Sequence, residues 1–406
     1  MGGALSVGVT GTVGVDGLVG VRELVGVRES VGVRELVGVR QPIGIQGSAS
    51  SVTLNGSGGT NGSAYSMYGL VYSMGTWTQN GGMAFIKSGT KVNAFMLVND
   101  VNQLQSMDTN LAGSYALGKS IDASATSGWN VANGVAAGFA PVGNNSTNDN
   151  ASRFTGTLDG QGHTVNNLTI NRPNSDYVGV IGYLGKPDTG STGNLNVGST
   201  GNLGLVGGSV MGHNQVGGLV GYNGGSISNA YSSAAVQGAD RVGGLAGVSP
   251  GSITTAYSTG TVAGTGHDVG GLVGSNSGGI KTAYSTGAVN GTESVGGLVG
   301  NASGGSINNA FSSGPVTGET KVGGLVGSNN ASLSTVYSTG AVSGSNDSTG
   351  GLAGVNNSTI DTAYSTGAVE GHDYVGGLIG RNSGNVNKAY SVGAVKGLDS
   401  VGTAFS

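Results

Sequence analysis

From residue 211 onward, short apolar stretches alternate with Gly, Ser and Asn, and the alternation recurs at a fixed interval. In the first full unit, 216–238 (VGGLVGYNGGSISNAYSSAAVQG), apolar residues fall in three segments, 216–220, 226–231 and 234–236. Such segments are too short for helices and suit strands. The Leu of each Gly-Gly-Leu (Leu219, Leu245, Leu272, Leu298, Leu325, Leu352, Leu378) recurs every 26 or 27 residues. The following aromatic keeps step: Tyr231, Tyr257, Tyr284, Phe311, Tyr337, Tyr364, Tyr390. A period of this size marks a stacked array whose units bury their apolar faces only against their neighbours. A propeller blade needs about 40–45 residues, which is too many. The pattern therefore predicts an all-β chain forming a parallel β-helix (solenoid), with 26–27-residue coils and three short strands per coil.

Coils of that kind place equivalent residues about 4.8 Å apart. The expected columns are Leu219 over Leu245 and Leu272, Ile227 over Ile253, Ile280 and Ile307, Val236 over Val262 and Val289, and the aromatics throughout. One turn position carries Asn223, Asn276, Asn329, Asn356 and Asn382, with Ser249 and Ala302 as exceptions. Stacked Asn side chains can pass amide hydrogen bonds from coil to coil.

Upstream the pattern changes three times. Residues 1–48 carry seven hexapeptides, from VGVTGT to IGIQGS. Hexapeptide periods occur in β-helices, but 18-residue coils would set Arg22 over Arg40, and like charges facing each other destabilise a sheet. The favoured reading is a loose or poorly ordered arm. Residues 49–150 read as a β-rich lead-in, with one short helical turn around 101–107 and with Trp129 and Phe139 plugging a core. Residues 151–210 read as the first irregular coils. Within them, alternation on both sides of Asp159-Gly160-Gln161-Gly162 predicts strand, tight hairpin-like turn, strand. The regular array is 211–406.

Composition narrows the function classes. Gly accounts for 85 of 406 residues, which without the strict period would read as disorder. Only 9% of residues are charged, the net charge is −4, and the 16 basic residues are scattered, so no stripe suited to nucleic acid is formed. No apolar run approaches the roughly 18 residues of a membrane span. With no Cys there is no disulfide framework and no thiolate chemistry. The first 20 residues lack a basic start followed by an apolar core, so no signal peptide is visible.

The search for chemistry yields no catalytic, cofactor or metal site. His163 near Asp159 is explained by turn geometry. His267-Asp268 and His372-Asp373 occupy the same corner four coils apart, too far to share an ion. One pattern remains: most charges of the array precede a Gly-Gly-Leu, at Asp240, Arg241, His267, Asp268, Glu293, Glu319, Lys321, Asp347, His372 and Asp373. These charges provide solubility and discourage lateral sheet pairing, or they form an edge that meets a partner.

The segments 218–221 (GLVG), 244–247 (GLAG), and so on to 377–380 (GLIG) look like the GLUG motif. The run from FTGTLDGQGHTVNNLTINRP through YVGVIGY into tandem AYSTGAV units resembles filamentous-haemagglutinin-type exoproteins of Gram-negative bacteria, two-partner-secretion adhesins among them. That resemblance implies a right-handed β-helix, export with the help of an outer-membrane secretion partner, and a place at the cell surface or outside the cell. A host glycan or matrix protein is the expected partner. The expected function is a non-enzymatic adhesin or stalk segment. The alternatives are a degenerate carbohydrate-active enzyme on the same fold, which would need two carboxylates about 5–10 Å apart in a cleft, and a pure spacer.

Overall fold

The computed structural model describes residues 95–144, 150–185 and 198–402, together with the backbone of short strands before residue 95. The reading of 1–48 as a loose arm falls mostly outside the described residues. Where strands are described there, Val13 pairs in parallel with Val31 and Leu18 with Leu36, three hexapeptides apart. Two compact units are present. In the first, Met83–Ser88 and Lys91–Val98 form an antiparallel pair, and Ser114–Leu117 adds in parallel to the latter.

The second unit holds the solenoid. Each regular coil contributes four strands, one more than the three apolar segments, and every ladder is parallel. In the first coil these are Val216–Gly217, Val220–Asn223, Ser226–Ser232 and Ala235–Gly238. Stacked, they form what we call the corner, asparagine, tyrosine and valine sheets. The extra strand arises because 216–220 is bent at Gly218-Leu219. There, Leu219 and Val220 both donate their N–H groups to the Leu245 carbonyl of the next coil, and Leu245 and Ala246 do the same to Leu272. One carbonyl with two lone pairs thus satisfies both amides of a bend, which a straight strand could not do.

The expected columns form. Ile227, Ile253, Ile280 and Ile307 are in register and buried, as are Val236, Val262 and Val289. The Leu side chains from Leu219 to Leu378 fill the interior. Opposite them, Ser232, Ser258, Ser285, Ser312, Ser338 and Ser365 also point inward. Their hydroxyls have no hydrogen-bond partner among the described residues. The second Gly of each Gly-Gly-Leu makes room for them: a Cβ on Gly271 would overlap Ser285 Oγ and the Gly297 carbonyl. The motif's glycine is therefore a packing requirement across the coil.

Two positions per coil hold non-Gly residues in the left-handed region. One interrupts each tyrosine strand (Asn229, Thr255, Thr282, Asn309, Thr335, Thr362, Lys388); the other introduces the corner (Gln215, Arg241, Asp268, Ser294, Lys321, Ser348, Tyr374). The ladder skips the first of these, running from Ser228–Thr254 to Ala230–Ala256.

Before the array, the short helical turn is present as α1 (Val101–Ser106), capped by Asp100, whose carboxylate accepts from Gln103 N at 2.9 Å. Gln105 pairs reciprocally with the Ala140 backbone at 2.9 and 2.8 Å, seating the helix on its neighbouring segment. Phe139 is fully buried, whereas Trp129 is only half-buried. The expected hairpin around 159–162 does not form. Thr157–Asp159 and Thr164–Asn166 lie one after the other along Ser199–Val206, both parallel to it. With Gln161 and Gly162 at φ 54° and 80°, residues 160–163 bulge out of a continuing strand, opposite Asn202 and Leu203, instead of reversing it. Among the described residues, no helix is long and apolar enough to cross a membrane.

Candidate binding surfaces

The corner sheet gathers the ten charged residues singled out above along one edge, and most of them engage one another. His267 Nε2 lies 3.4 Å from Asp240 Oδ2, and its backbone N–H donates to Asp240 Oδ1 at 2.9 Å. Its Nδ1 is 3.9 Å from Asp268. Lys321 bonds Glu293 at 2.6 Å, and His372 lies 3.1 Å from Asp373. Arg241 acts on Asp268 through its field, while Glu319 stands exposed. Adjacent coils supply the partners of Asp240 and Glu293, whereas His372 and Asp373 pair within one coil.

Asp268 differs from the others, being 7% exposed. Burial raises its carboxyl above the ordinary value; Asn301, His267, Arg241 and Ser275 pull it back. Glu293 shifts the other way, lowered by the hydrogen bond and charge of Lys321.

Sequence reasoning missed several members of this edge, among them Asp399, in register with Asp373. Arg381 reaches Asp347 at 3.0 Å and stacks over Tyr374, its Cζ 3.7 Å from the ring centre. It belongs to the asparagine sheet, one strand after the segment that the charge pattern marked. Asp176 pairs with His213 at 3.0 Å ahead of the first regular unit, where the period had not yet begun. Among the described residues, no group of His, Asp or Glu is placed to hold a metal ion.

The outer face of the tyrosine sheet carries the aromatic column. Tyr231, Tyr257 and Tyr284 stack with centroids 4.7 Å apart and planes within 5°. Phe311, Tyr337, Tyr364 and Tyr390 continue it at 4.8–5.5 Å. Each interior ring has both faces covered by its neighbours, so the column presents ring edges outward. Desolvation, then the neighbouring phenols, raise the hydroxyls of Tyr257 and Tyr364.

The first ring has no aromatic neighbour on one side and lies over Gly204 instead. Gly204 stands in register with Tyr231, where an aromatic would continue the column, and a Cβ there would overlap the Tyr231 ring. Beside it opens a cavity of about 380 Å³ lined by Gln161, Gly162, Asn202, Leu203, Gly204, Asn229 and Tyr231. Its polar wall is tied together: Asn229 Nδ2 donates to Asn202 Oδ1 at 3.1 Å, and Asn202 Nδ2 to Asp159 Oδ1 at 3.0 Å. Asp159 also accepts from Gln161 N at 2.9 Å, which leaves it a turn-forming role beside His163.

Comparisons with known proteins agree with the repeat. A stretch of 196 residues is 33% identical to Halomucin of Haloquadratum walsbyi, covering 46% of this chain. The chain spans only about 2% of that relative's length. A solved Bacteroides ovatus structure, carrying the provisional name immunoglobulin A1 protease, aligns over 62% of this chain and 77% of its own. Its TM-score is 0.45 at 19% identity, a likeness too distant to carry any activity across. Residues 212–237 match the family described as the GLUG motif, and the sequence repeats that unit through the array, so this region is a parallel β-solenoid of GLUG-type repeats.

Proposed function

We propose that this chain is a non-enzymatic segment of a surface-exposed or secreted protein, an adhesin or stalk that presents its charged corner edge to a partner. The observation that carries the reading is the contrast between faces. The inward positions of every sheet repeat nearly the same residues and the outward positions vary, but most charges of the array gather on this one edge, as Asp240-Arg241, His267-Asp268, Glu293, Glu319, Lys321, Asp347 and Asp373. Recognition concentrates where a rigid scaffold allows variation. Similarity to a protein named as a mucin supports an external location, and the filamentous-haemagglutinin resemblance supports export through a secretion partner. A host glycan or matrix protein remains the partner class to test.

A pure spacer is the second reading, favoured by the pairing of Lys321 with Glu293 and of Arg381 with Asp347, which uses charge internally. A degenerate carbohydrate-active enzyme has less support at this edge, because Asp347 and Asp373 stack along an exposed ridge and not in a cleft.

The test is a screen of the full chain against immobilised glycans and matrix proteins, beside a variant with Asp240, Arg241, His267, Glu293, Glu319, Lys321, Asp347, His372 and Asp373 replaced by Ser. Binding lost in the variant supports the adhesive edge. Binding equal in both, or absent from both, overturns it in favour of another face or a spacer.

A further inference from the structure

We infer that the outer face of the tyrosine sheet is a dimer interface, on which a second copy of this chain docks with its coils running the opposite way. The two-fold axis lies along the strands, midway between those of Asn308 and Ser334.

This face is separate from the charged corner, and it is flat. Successive rings from Tyr231 to Tyr364 stay within 7° of parallel, so neighbouring coils are related almost by translation alone, with little of the twist common to sheets. Its outward positions carry Ser, Thr and Asn beside the aromatics, as with Ser228, Asn229 and Tyr231 in the first coil. Tyr, Ser and Asn are favoured in antibody paratopes because they supply contact area and hydrogen bonds at small conformational cost. Here stacking fixes the rings in advance, which lowers the ordering cost further.

Charge selects the occupant. The regular coils place three charges on this face, Lys281, Asp361 and Lys388. The first two share one column, in which Lys281, Asn308, Ser334 and Asp361 are each in register with the next. Elsewhere in the array Lys321 is matched by Glu293, Arg381 by Asp347 and Lys396 by Glu370. Among the described residues Lys281 forms no ion pair, and Asp361 receives one 3.4 Å bond, from Thr362 Oγ1.

Reversing the coil order about the stated axis sets Lys281 of each copy opposite the partner's Asp361. Two residues thus make two ion pairs, the isologous arrangement of a two-fold dimer. The same axis brings Phe311 opposite the partner's Tyr337, so the one ring of the column without a hydroxyl sits at the centre and the ion pairs flank it. An apolar centre with a polar rim is the common order of a protein interface. Lys388 falls opposite the partner's Thr255, toward the rim. Copies running in the same direction would keep Lys281 and Asp361 three strand spacings apart, about 14 Å, and leave both unmatched.

The overlap spans six strands, from Ser252–Ser258 to Val386–Ser391. At ordinary strand spacing and rise the patch measures about 29 Å by 23 Å. Two copies then bury roughly 1,300 Å², inside the range of about 1,200–2,000 Å² for specific, stable interfaces.

The full chain should be measured by sedimentation velocity across micromolar concentrations. The expected result is a reversible monomer–dimer equilibrium. Lys281→Asp and Asp361→Lys should each weaken it tenfold or more, because each sets like charges face to face on both sides of the axis. The double variant Lys281→Asp/Asp361→Lys should recover the parent's dimer. An equimolar mixture of the two single variants should form a heterodimer, since one brings only acidic groups to these positions and the other only basic ones. Recovery in the mixture also shows that the single variants are folded. A chain that stays monomeric, a dimer that both single reversals leave intact, or single variants that neither the double variant nor the mixture rescues would each overturn the proposal. The corner variant described above should dimerise as the parent does, so a corner edge that fails its own screen leaves this result readable.

Discussion

Ser285 Oγ occupies the space that a side chain on Gly271 would need, on the opposite wall of the same coil. The pair recurs as Gly244 with Ser258, Gly297 with Ser312, Gly324 with Ser338 and Gly351 with Ser365. Gly271→Ala forces its methyl against both the hydroxyl and the Gly297 carbonyl, and overpacking of this kind costs about 1–3 kcal/mol. Ser285→Ala removes a buried hydroxyl without a partner among the described residues and should be neutral or stabilising by up to about 1 kcal/mol. Denaturant melts of the two variants should move in opposite directions.

The Asn column is interrupted, and the interruption is measurable. Asn329 donates to Asn356 at 2.7 Å and Asn356 to Asn382 at 2.8 Å, but Ser249 and Ala302 break the chain around Asn276, whose buried Oδ1 has no partner among the described residues. Ser249→Asn supplies the missing donor and should raise stability by about 1 kcal/mol. Ala302→Asn joins the two halves of the ladder and should add a comparable gain in the same melt. A loss of stability in Ser249→Asn would show that the turn relies on the smaller side chain.

Thr282 sits at φ 56° in the middle of a strand, a conformation that a β-branched residue adopts at a cost. Asn229 and Asn309 hold the same position in other coils with a side chain better suited to it. Thr282→Asn should therefore stabilise by up to about 1 kcal/mol, read as a raised thermal midpoint with an unchanged far-ultraviolet spectrum.

Asp268 gives the array a pH dependence of defined sign. Its carboxyl is raised by burial, so the native state holds the proton more tightly than the unfolded chain. Its contribution is most favourable below the ordinary Asp value of about 3.9 and is lost as pH rises through the raised value. Glu293 works in the opposite sense: lowered by Lys321, it contributes above the ordinary Glu value and loses that contribution as pH falls. Asp268→Asn, which also tolerates the φ of 62°, should be more stable than the parent at neutral pH, with the advantage shrinking toward pH 3. Thermal melts of both proteins across that range check the sign.

The period made the columns legible, because Leu219 through Leu378 and Tyr231 through Tyr390 can be aligned by eye and stacking does the rest. The fourth strand was hidden because its signal is two residues, Val216-Gly217, separated from the next strand only by a bend whose hydrogen bonds come from another coil. The bulge at 160–163 resembles a hairpin in sequence because Asp-Gly-Gln-Gly satisfies a reversing turn as well as a strand interruption, and only pairing to Ser199–Val206 decides between them. The cavity was invisible for a different reason. Gly204 belongs to the aromatic column by register alone, and an absent side chain leaves no pattern to find.

Because every coil meets the next through the same Ile, Val, Leu and aromatic positions, the interface between coils is nearly interchangeable along the array. Removing or inserting one complete 26–27-residue unit joins surfaces that already fit, and changes the length by one strand spacing, about 4.8 Å. A gene with such repeats can therefore lengthen or shorten its product by unequal recombination, in fixed steps, without inventing a new contact. Reach becomes an inherited quantity that a population can vary faster than point mutation would allow.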